Sequence, residues 1–357
     1  MVTLDQLFPA DALAQAVTDG HVRAQTHPAA PLTIYNYTEI CAFASAWTVV
    51  TRTCRGLIVD ATGRVVARAF DKFFNHNQPG APLVELDEPV SVTDKADGSL
   101  GIIYDGPDGL AVATRGSFAS EQAVHATSVL RKRYAGWVPP QGLTVLVEII
   151  YPGNRIVLDY GGMDDLVLLG AVEIATGRSF GPEAVPTWPG PVVESFAYAT
   201  FGAALAAPPR PGREGLVIHV SSTGDRVKIK YEDYVNLHRL IYGLSARTIW
   251  EALCSGITVE QIAEPLPDEF HGWVKEVSAR LRTSVEELAK AVKDTFESIV
   301  SGLPEGYSRK DFALIAAKHE LRGYLFAHLD GKDYRDAIWQ QVKPSAEETP
   351  HGLFGQD

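Results

Sequence analysis

Cysteine is scarce in this 357-residue chain: Cys41, Cys54 and Cys254 stand far apart, with no CxxC pair and no histidine at a zinc-like spacing. That excludes a disulfide framework and offers no structural metal site, and a reducing cytoplasm is the expected setting. Apolar runs long enough to cross a bilayer are lacking too, and the first residues, with Asp5 and Asp11 and no basic stretch, do not read as a signal peptide. A soluble, cytoplasmic protein with no membrane partner is expected. Positive charge is the third shortage, with 32 Lys and Arg against 44 Asp and Glu and a net charge of −12. Non-specific coating of nucleic acid rests on many Lys and Arg contacts to phosphate, so that class is excluded. A cationic groove confined to one site is not. No internal repeat or low-complexity tract is present.

What the chain does have is length for two domains, 46% apolar residues, 31 Gly and 22 Pro. From Gly56 to Lys230 short apolar runs alternate with turn signals, which predicts mainly β structure. Gly56–Asp60 and Arg64–Arg68 flank a turn at Ala61–Gly63, and Leu100–Tyr104 and Leu110–Thr114 flank Asp105–Gly109, so two antiparallel hairpins are expected. Further strands are expected at Leu143–Ile150, Arg155–Tyr160, Leu166–Ile174, Gly215–Val220 and Arg226–Lys230. Ser120 reads as the N-cap of one helix. After about Tyr231 the period changes: Phe270, Trp273, Val277, Leu281, Leu288, Val292 and Phe296 recur near multiples of a helical turn, and Ser308 with Asp311 resembles an N-cap. The fold class expected is α+β. An N-terminal domain of antiparallel sheets with flanking helices spans 1–242, an all-α domain spans 243–345, and 346–357 form a flexible tail.

Lys95-Ala-Asp97-Gly98-Ser99 lies where the strand Val90–Thr93 gives way to the next. A lysine there can point into a cleft, and Gly98 permits a tight turn or a close approach to a nucleotide. Taken alone it is equally a polar hairpin connection. Farther along, Arg226-Val-Lys228-Ile-Lys230 alternates, so Val227 and Ile229 share the core face and the three cations share the other. Like charges so arranged repel unless an anion sits between them or water bathes the face. Glu148 closes an apolar strand and Glu214 opens another; a charge in such a place must face a cavity or find a partner.

In this order the residues resemble the covalent nucleotidyltransferases, the superfamily of ATP-dependent ligases and mRNA capping enzymes. Cys54-Arg55-Gly56-Leu57, Phe70-Asp-Lys72-Phe73-Phe74-Asn75 and Thr114-Arg115-Gly116-Ser117 narrow the resemblance to the RNA ligase 1 family of T-even phages. In that family a basic residue precedes the nucleophilic lysine and the tail is not an OB barrel. Where Arg115 stands the family commonly has lysine, although arginine binds phosphate well.

The resemblance implies an ATP-dependent RNA ligase: Lys95 attacks the α-phosphate of ATP, AMP passes to an RNA 5′-phosphate, and a 3′-hydroxyl displaces it, as in RNA or tRNA repair. It implies that Lys228 and Lys230 hold the α-phosphate and that Arg55, Lys72 and Arg115 neutralise phosphates. Glu148 would accept from the ribose and Glu214 would hold Mg²⁺ or Mn²⁺, or the two would exchange roles. Asp97 and Gly98 shape the loop, and Tyr37 or Tyr234 touches the nucleotide. Nearby cations and the metal are expected to lower the pKa of Lys95 and free its lone pair. A related ligase acting on DNA or another acceptor, and a catalytically silent nucleotide- or RNA-binding module, remain as alternatives. Single broken RNA strands are the expected partner. His76 reads as a surface residue in a turn and His219 as a satisfied strand histidine.

Overall fold

The computed structural model describes residues 2–264, 266 and 268–350. The chain separates into two compact units that divide between Asn236 and Leu237, within the helix Glu232–Tyr242. The expected tail lies outside the described residues from 351 onward.

The first unit is built on three sheets, because its period-two runs each have one face to bury. The first sheet orders Val22–Thr26, Leu32–Tyr37, Arg55–Asp60 and Val65–Ala67 side by side, all antiparallel. The second orders Ser179–Phe180, Asp165–Glu173, Leu143–Ile150, Ser99–Gly106 and Gly109–Ala113. The third orders Ser195–Phe196, Val90–Asp94, Gly215–Val220, Arg226–Lys230 and Phe74–Asn75, the last pair parallel. Ile34, Ile58 and Phe70 meet Ile102, Ala113 and Leu146, so the first two sheets share a core. The far face of the second sheet packs under the helix Glu121–Arg133, with Val129 and Leu130 against Val147, Leu166 and Trp188. Ser120 caps that helix as the sequence predicts, its hydroxyl accepting from the Ala123 amide. The third sheet buries Val90, Val92, Leu216, Ile218 and Val227 against Phe201.

Both predicted hairpins form, with Ile58 opposite Ala67 and Ile103 opposite Val112. The run Arg155–Tyr160 does not make a strand. Its amides have another acceptor: the Val157 and Leu158 N–H groups both donate to Asp97 Oδ2, at 2.9 and 2.8 Å, so the backbone folds around a carboxylate instead of joining a ladder.

The second unit is helical. Its longest helix, Asp268–Ser301, turns Phe270, Val277, Leu281 and Val292 inward, as the spacing predicts, while Trp273 and Leu288 are half-buried and Val274, outside that series, is buried. Ser308 and Asp311 form a reciprocal capping box at the start of Arg309–Ala316. No helix among the described residues is long and apolar enough to cross a membrane.

Candidate active site

Lys95 is not in a hairpin. Val90–Asp94 belongs to the third sheet and Ser99–Gly106 to the second, so Lys95–Gly98 is the bridge by which the chain changes sheets. Each end of the bridge is pinned to one sheet. The Lys95 amide donates to Gly215 O at 2.9 Å, on the third. The Gly98 amide donates to Glu148 Oε1 at 3.0 Å, on the second. Gly98 has no unusual φ; a Cβ there would lie 2.6 Å from Ile149 O, so the position demands the smallest residue because two backbones touch.

Asp97, between them, is buried, and protein donors occupy its carboxylate. Oδ2 takes the two amides of the 155–160 loop, and Oδ1 accepts from the Tyr234 hydroxyl at 2.7 Å. The Tyr160 hydroxyl donates nothing to this carboxylate but accepts the Asp97 amide at 2.8 Å. Asp97 and Tyr234 therefore stand behind the loop and brace it.

In front of the loop, the Lys95 Nζ donates to Glu214 Oε2 at 2.8 Å, and the other oxygen of Glu214 takes the Lys230 Nζ, also at 2.8 Å. Glu214 is only 2% exposed, so this carboxylate is bound on both sides by lysine. Burial alone would lower the pKa of Lys95, but Glu214, with Glu148 and Asp97 behind it, raises it above the ordinary value. This reverses the expectation that nearby cations lower it, because the carboxylates are nearer. Glu148 is the counterpart: burial, with Glu214 and Asp97, pushes its pKa up to about 7 against the pull of Lys95.

The depressed lysine is Lys228. It has no carboxylate partner among the described residues; its ammonium lies 5.2 Å from the centre of the Phe73 ring. Burial, then Lys72, Lys95, Arg55 and Lys230, push its pKa down to about 6. The strand face predicted from alternation is thus partly enclosed: Lys228 and Lys230 are half-buried, and its third member, Arg226, is 7% exposed.

A second group of cations comes from the first sheet and its loops. Arg115 Nη1 donates to the Tyr37 hydroxyl at 3.1 Å, and Arg115, Arg55 and Lys72 together lower the pKa of Tyr37 against the effect of burial. Lys72 lies among three rings, 5.6 Å from Tyr37, 5.2 Å from Trp47 and 5.3 Å from Phe74. Arg55 donates to Phe70 O. All the residues predicted from sequence thus fall in one unit, and the Lys95 end of the cluster opens on a cavity of about 450 Å³ walled by Phe70, Phe73, Leu169 and Val217. That volume is in the range of small-ligand sites.

Sequence reasoning missed Arg23, which lines the same cavity beside Gly116, and Trp47. Neither sits in a motif. The only signal for Arg23 was its place on the outward side of Val22–Thr26. It also missed Arg210 and Arg213, which hold the buried Asp94 next to Lys95 at 3.1 and 3.3 Å.

Among the described residues no group of three or more His, Cys, Asp or Glu could hold a metal by itself. Among the described residues one oxygen of Glu148 accepts no hydrogen bond, whereas both of Glu214 are engaged. The donor set suits a hard ion that brings most of its ligands with it, as Mg²⁺ does on a phosphate chain, better than a resident one.

Residues 53–203 match the family model described as RNA ligase, of the phage T4 RNA ligase 1 type. The uncharacterized protein ORF64 of Ostreid herpesvirus 1 (isolate France) is 33% identical over 156 residues, covering 40% of this chain and 38% of that one. Among solved structures, an archaeal ATP-dependent RNA ligase is 14% identical with a TM-score of 0.45, over 91% of this chain and 96% of the other. The Naegleria gruberi RNA ligase solved with PPi is 20% identical with a TM-score of 0.34, over 43% of this chain and 52% of the other. The chain spans 38% of the herpesvirus protein and about half of the Naegleria enzyme, and no residue role follows from likenesses at this level. The segment that carries the likeness to the phage T4-type RNA ligases, 53–203, is 151 of the 357 residues and contains Arg55, Lys72, Lys95, Arg115 and Glu148.

Proposed function

We propose that the chain is an ATP-dependent RNA ligase, joining RNA 5′-phosphate and 3′-hydroxyl ends through AMP carried on Lys95, in RNA or tRNA repair in the cytoplasm. The observation that carries this reading is Lys228, a half-buried amine with no carboxylate partner among the described residues: burial, with Lys72, Lys95, Arg55 and Lys230, pushes its pKa down to about 6, so its charge returns only when an anion arrives beside it. Polyphosphate supplies one. In this reading the sheet-built unit is the adenylyltransferase and the helical unit is a family-specific attachment.

Lys228 and Lys230 hold the α-phosphate while the Lys95 Nζ attacks it; the N–P bond forms as the bond to pyrophosphate breaks. The attack needs a free amine, and Glu214 Oε2, at 2.8 Å, is in reach of the departing proton. Lys230, held by the same carboxylate, keeps Glu214 aligned. Arg55, Lys72 and Arg115 receive the leaving phosphates and later the RNA 5′-phosphate, where positioning and charge neutralisation matter more than acid–base chemistry. Glu148, through its other oxygen, would hold the ribose or a Mg²⁺ or Mn²⁺ ion, and Glu214 would hold such an ion only with an oxygen that lysine no longer engages. When bound, the ion neutralises phosphate charge. The 3′-hydroxyl of the second end then displaces AMP.

Incubation with α-labelled ATP and Mg²⁺ should give a labelled protein band that Lys95→Ala loses while remaining folded. An unlabelled wild-type band, with ATP shown to bind, would leave only a nucleotide-binding module. Joining of 5′-phosphorylated DNA in preference to RNA would move the acceptor to DNA.

A further inference from the structure

Arg226 is not used by that mechanism, yet it is the most confined of the three cations on its strand. It lies on the wall of the Lys95 cavity and also of a neighbouring cavity of about 530 Å³, whose lining includes His219, Phe196 and Tyr198. Its guanidinium is 3.9 Å from the centre of the Phe70 ring, and Nη2 donates to Phe180 O at 2.8 Å. These two contacts fix the plane of the group. Its Nε is buried with no partner; burial pushes its pKa down to about 9, and Glu183, on the wall of the neighbouring cavity, opposes that without forming an ion pair among the described residues. His219, opposite Arg226 across the strand pair, is kept neutral by burial and by Arg226 itself, with its pKa pushed down to about 4, and so neutralises nothing. Nε is out of reach of solvent and of any ligand, so the part of Arg226 that can meet one is the part that walls the Lys95 cavity.

The register says what lies within reach. Gly215 is opposite Lys230, Val217 opposite Lys228 and His219 opposite Arg226. With about 3.3 Å per residue, Arg226 is about 7 Å beyond Lys228 and about 13 Å beyond Lys230 along one face. A nucleoside monophosphate with its phosphate between Lys95, Lys228 and Lys230, running along this strand, would bring its base to the cavity wall that includes Phe70, Leu169, Val217 and Arg226. Resting on the function proposed above, we infer that Arg226 is a specificity-determining residue that donates a hydrogen bond to N1 or N7 of the purine. As the partition between the two cavities, it also limits the depth to which the base enters. Arginine suits this work because its charge persists and its fork is rigid.

The test compares ATP with 1-deaza-ATP and 7-deaza-ATP, each lacking one ring-nitrogen acceptor, in formation of the Lys95 adduct by the full chain. In wild type one of the two should show a KM at least about tenfold higher than ATP, the size of one lost hydrogen bond to a charged group, with kcat little changed. In Arg226→Met the KM for ATP should rise to match, and the same analogue should suffer no further loss. Equal KM values for ATP and both analogues in wild type would overturn the inference without any variant being made. So would a folded Arg226→Met that still discriminates as wild type does. Absence of any adduct from wild type with ATP would instead refute the ligase reading on which this one rests.

Discussion

Glu148 offers a direct check on the electrostatics of the site. Its carboxyl is raised from an ordinary 4.5 to about 7, so between those values the folded chain holds a proton that the unfolded chain has released. Stability must then fall as pH rises through that window, the opposite of what a salt-bridged carboxylate does. The whole interval is worth about 3 kcal/mol, of which about 2 kcal/mol falls between about pH 5.5 and about pH 7.5. Glu148→Gln keeps an oxygen for the Gly98 amide and removes the titration. Urea unfolding of the unit that carries Glu148, followed in wild type and variant at both pH values, should show the wild type losing about 2 kcal/mol more than the variant. The variant should also be the more stable protein at the higher pH. Parallel curves for the two proteins would mean that Glu148 is ionised in the folded chain and that burial is not the dominant influence on it.

Two further outcomes follow from neighbouring groups. Lys228, deprotonated in the free protein above pH of about 6, should recover its charge when phosphate arrives, so ATP binding near pH 7.5 should take up close to one proton. Calorimetry in buffers of different ionisation enthalpy measures this; the uptake should vanish in Lys228→Met, and wild-type binding without proton uptake would contradict the assignment. Gly98→Ala forces a Cβ against Ile149 O at 2.6 Å and should cost about 1–3 kcal/mol of unfolding free energy, since two strands must separate to admit it. A variant as stable as wild type would show that the loop has slack.

How far the sequence could be read depended on whether a property was local. The two hairpins, the Ser120 and Ser308 caps and the long helix are written in turn chemistry and periodicity, and they form where expected. The run Arg155–Tyr160 looked like a strand by the same criteria. Its amides were claimed by Asp97, about sixty residues earlier, and no window along the chain contains that competition. The site divides in the same way. Lys95, Lys228, Lys230 and the two glutamates could be found by their order, but the titration of Lys95, Lys228 and Glu148 depends on neighbours far along the chain, such as Glu214, 119 residues from Lys95. That is why Lys95, expected to be depressed, is raised, and why Lys228 is the amine pushed down instead.

The strand order of the third sheet bears on where this chain can be cut. Gly215–Val220 runs between Val90–Asp94 and Arg226–Lys230, yet the segment matching the RNA ligase family stops at 203. A fragment trimmed to that match would keep Lys95 but strip the hydrogen-bonding partner from one edge of Val90–Asp94, leaving a raw strand that invites pairing with another molecule. It would also lose Glu214, Lys228 and Lys230 together. For expression or directed evolution, the smallest useful piece therefore has to run past Lys230, whatever the extent of recognisable similarity.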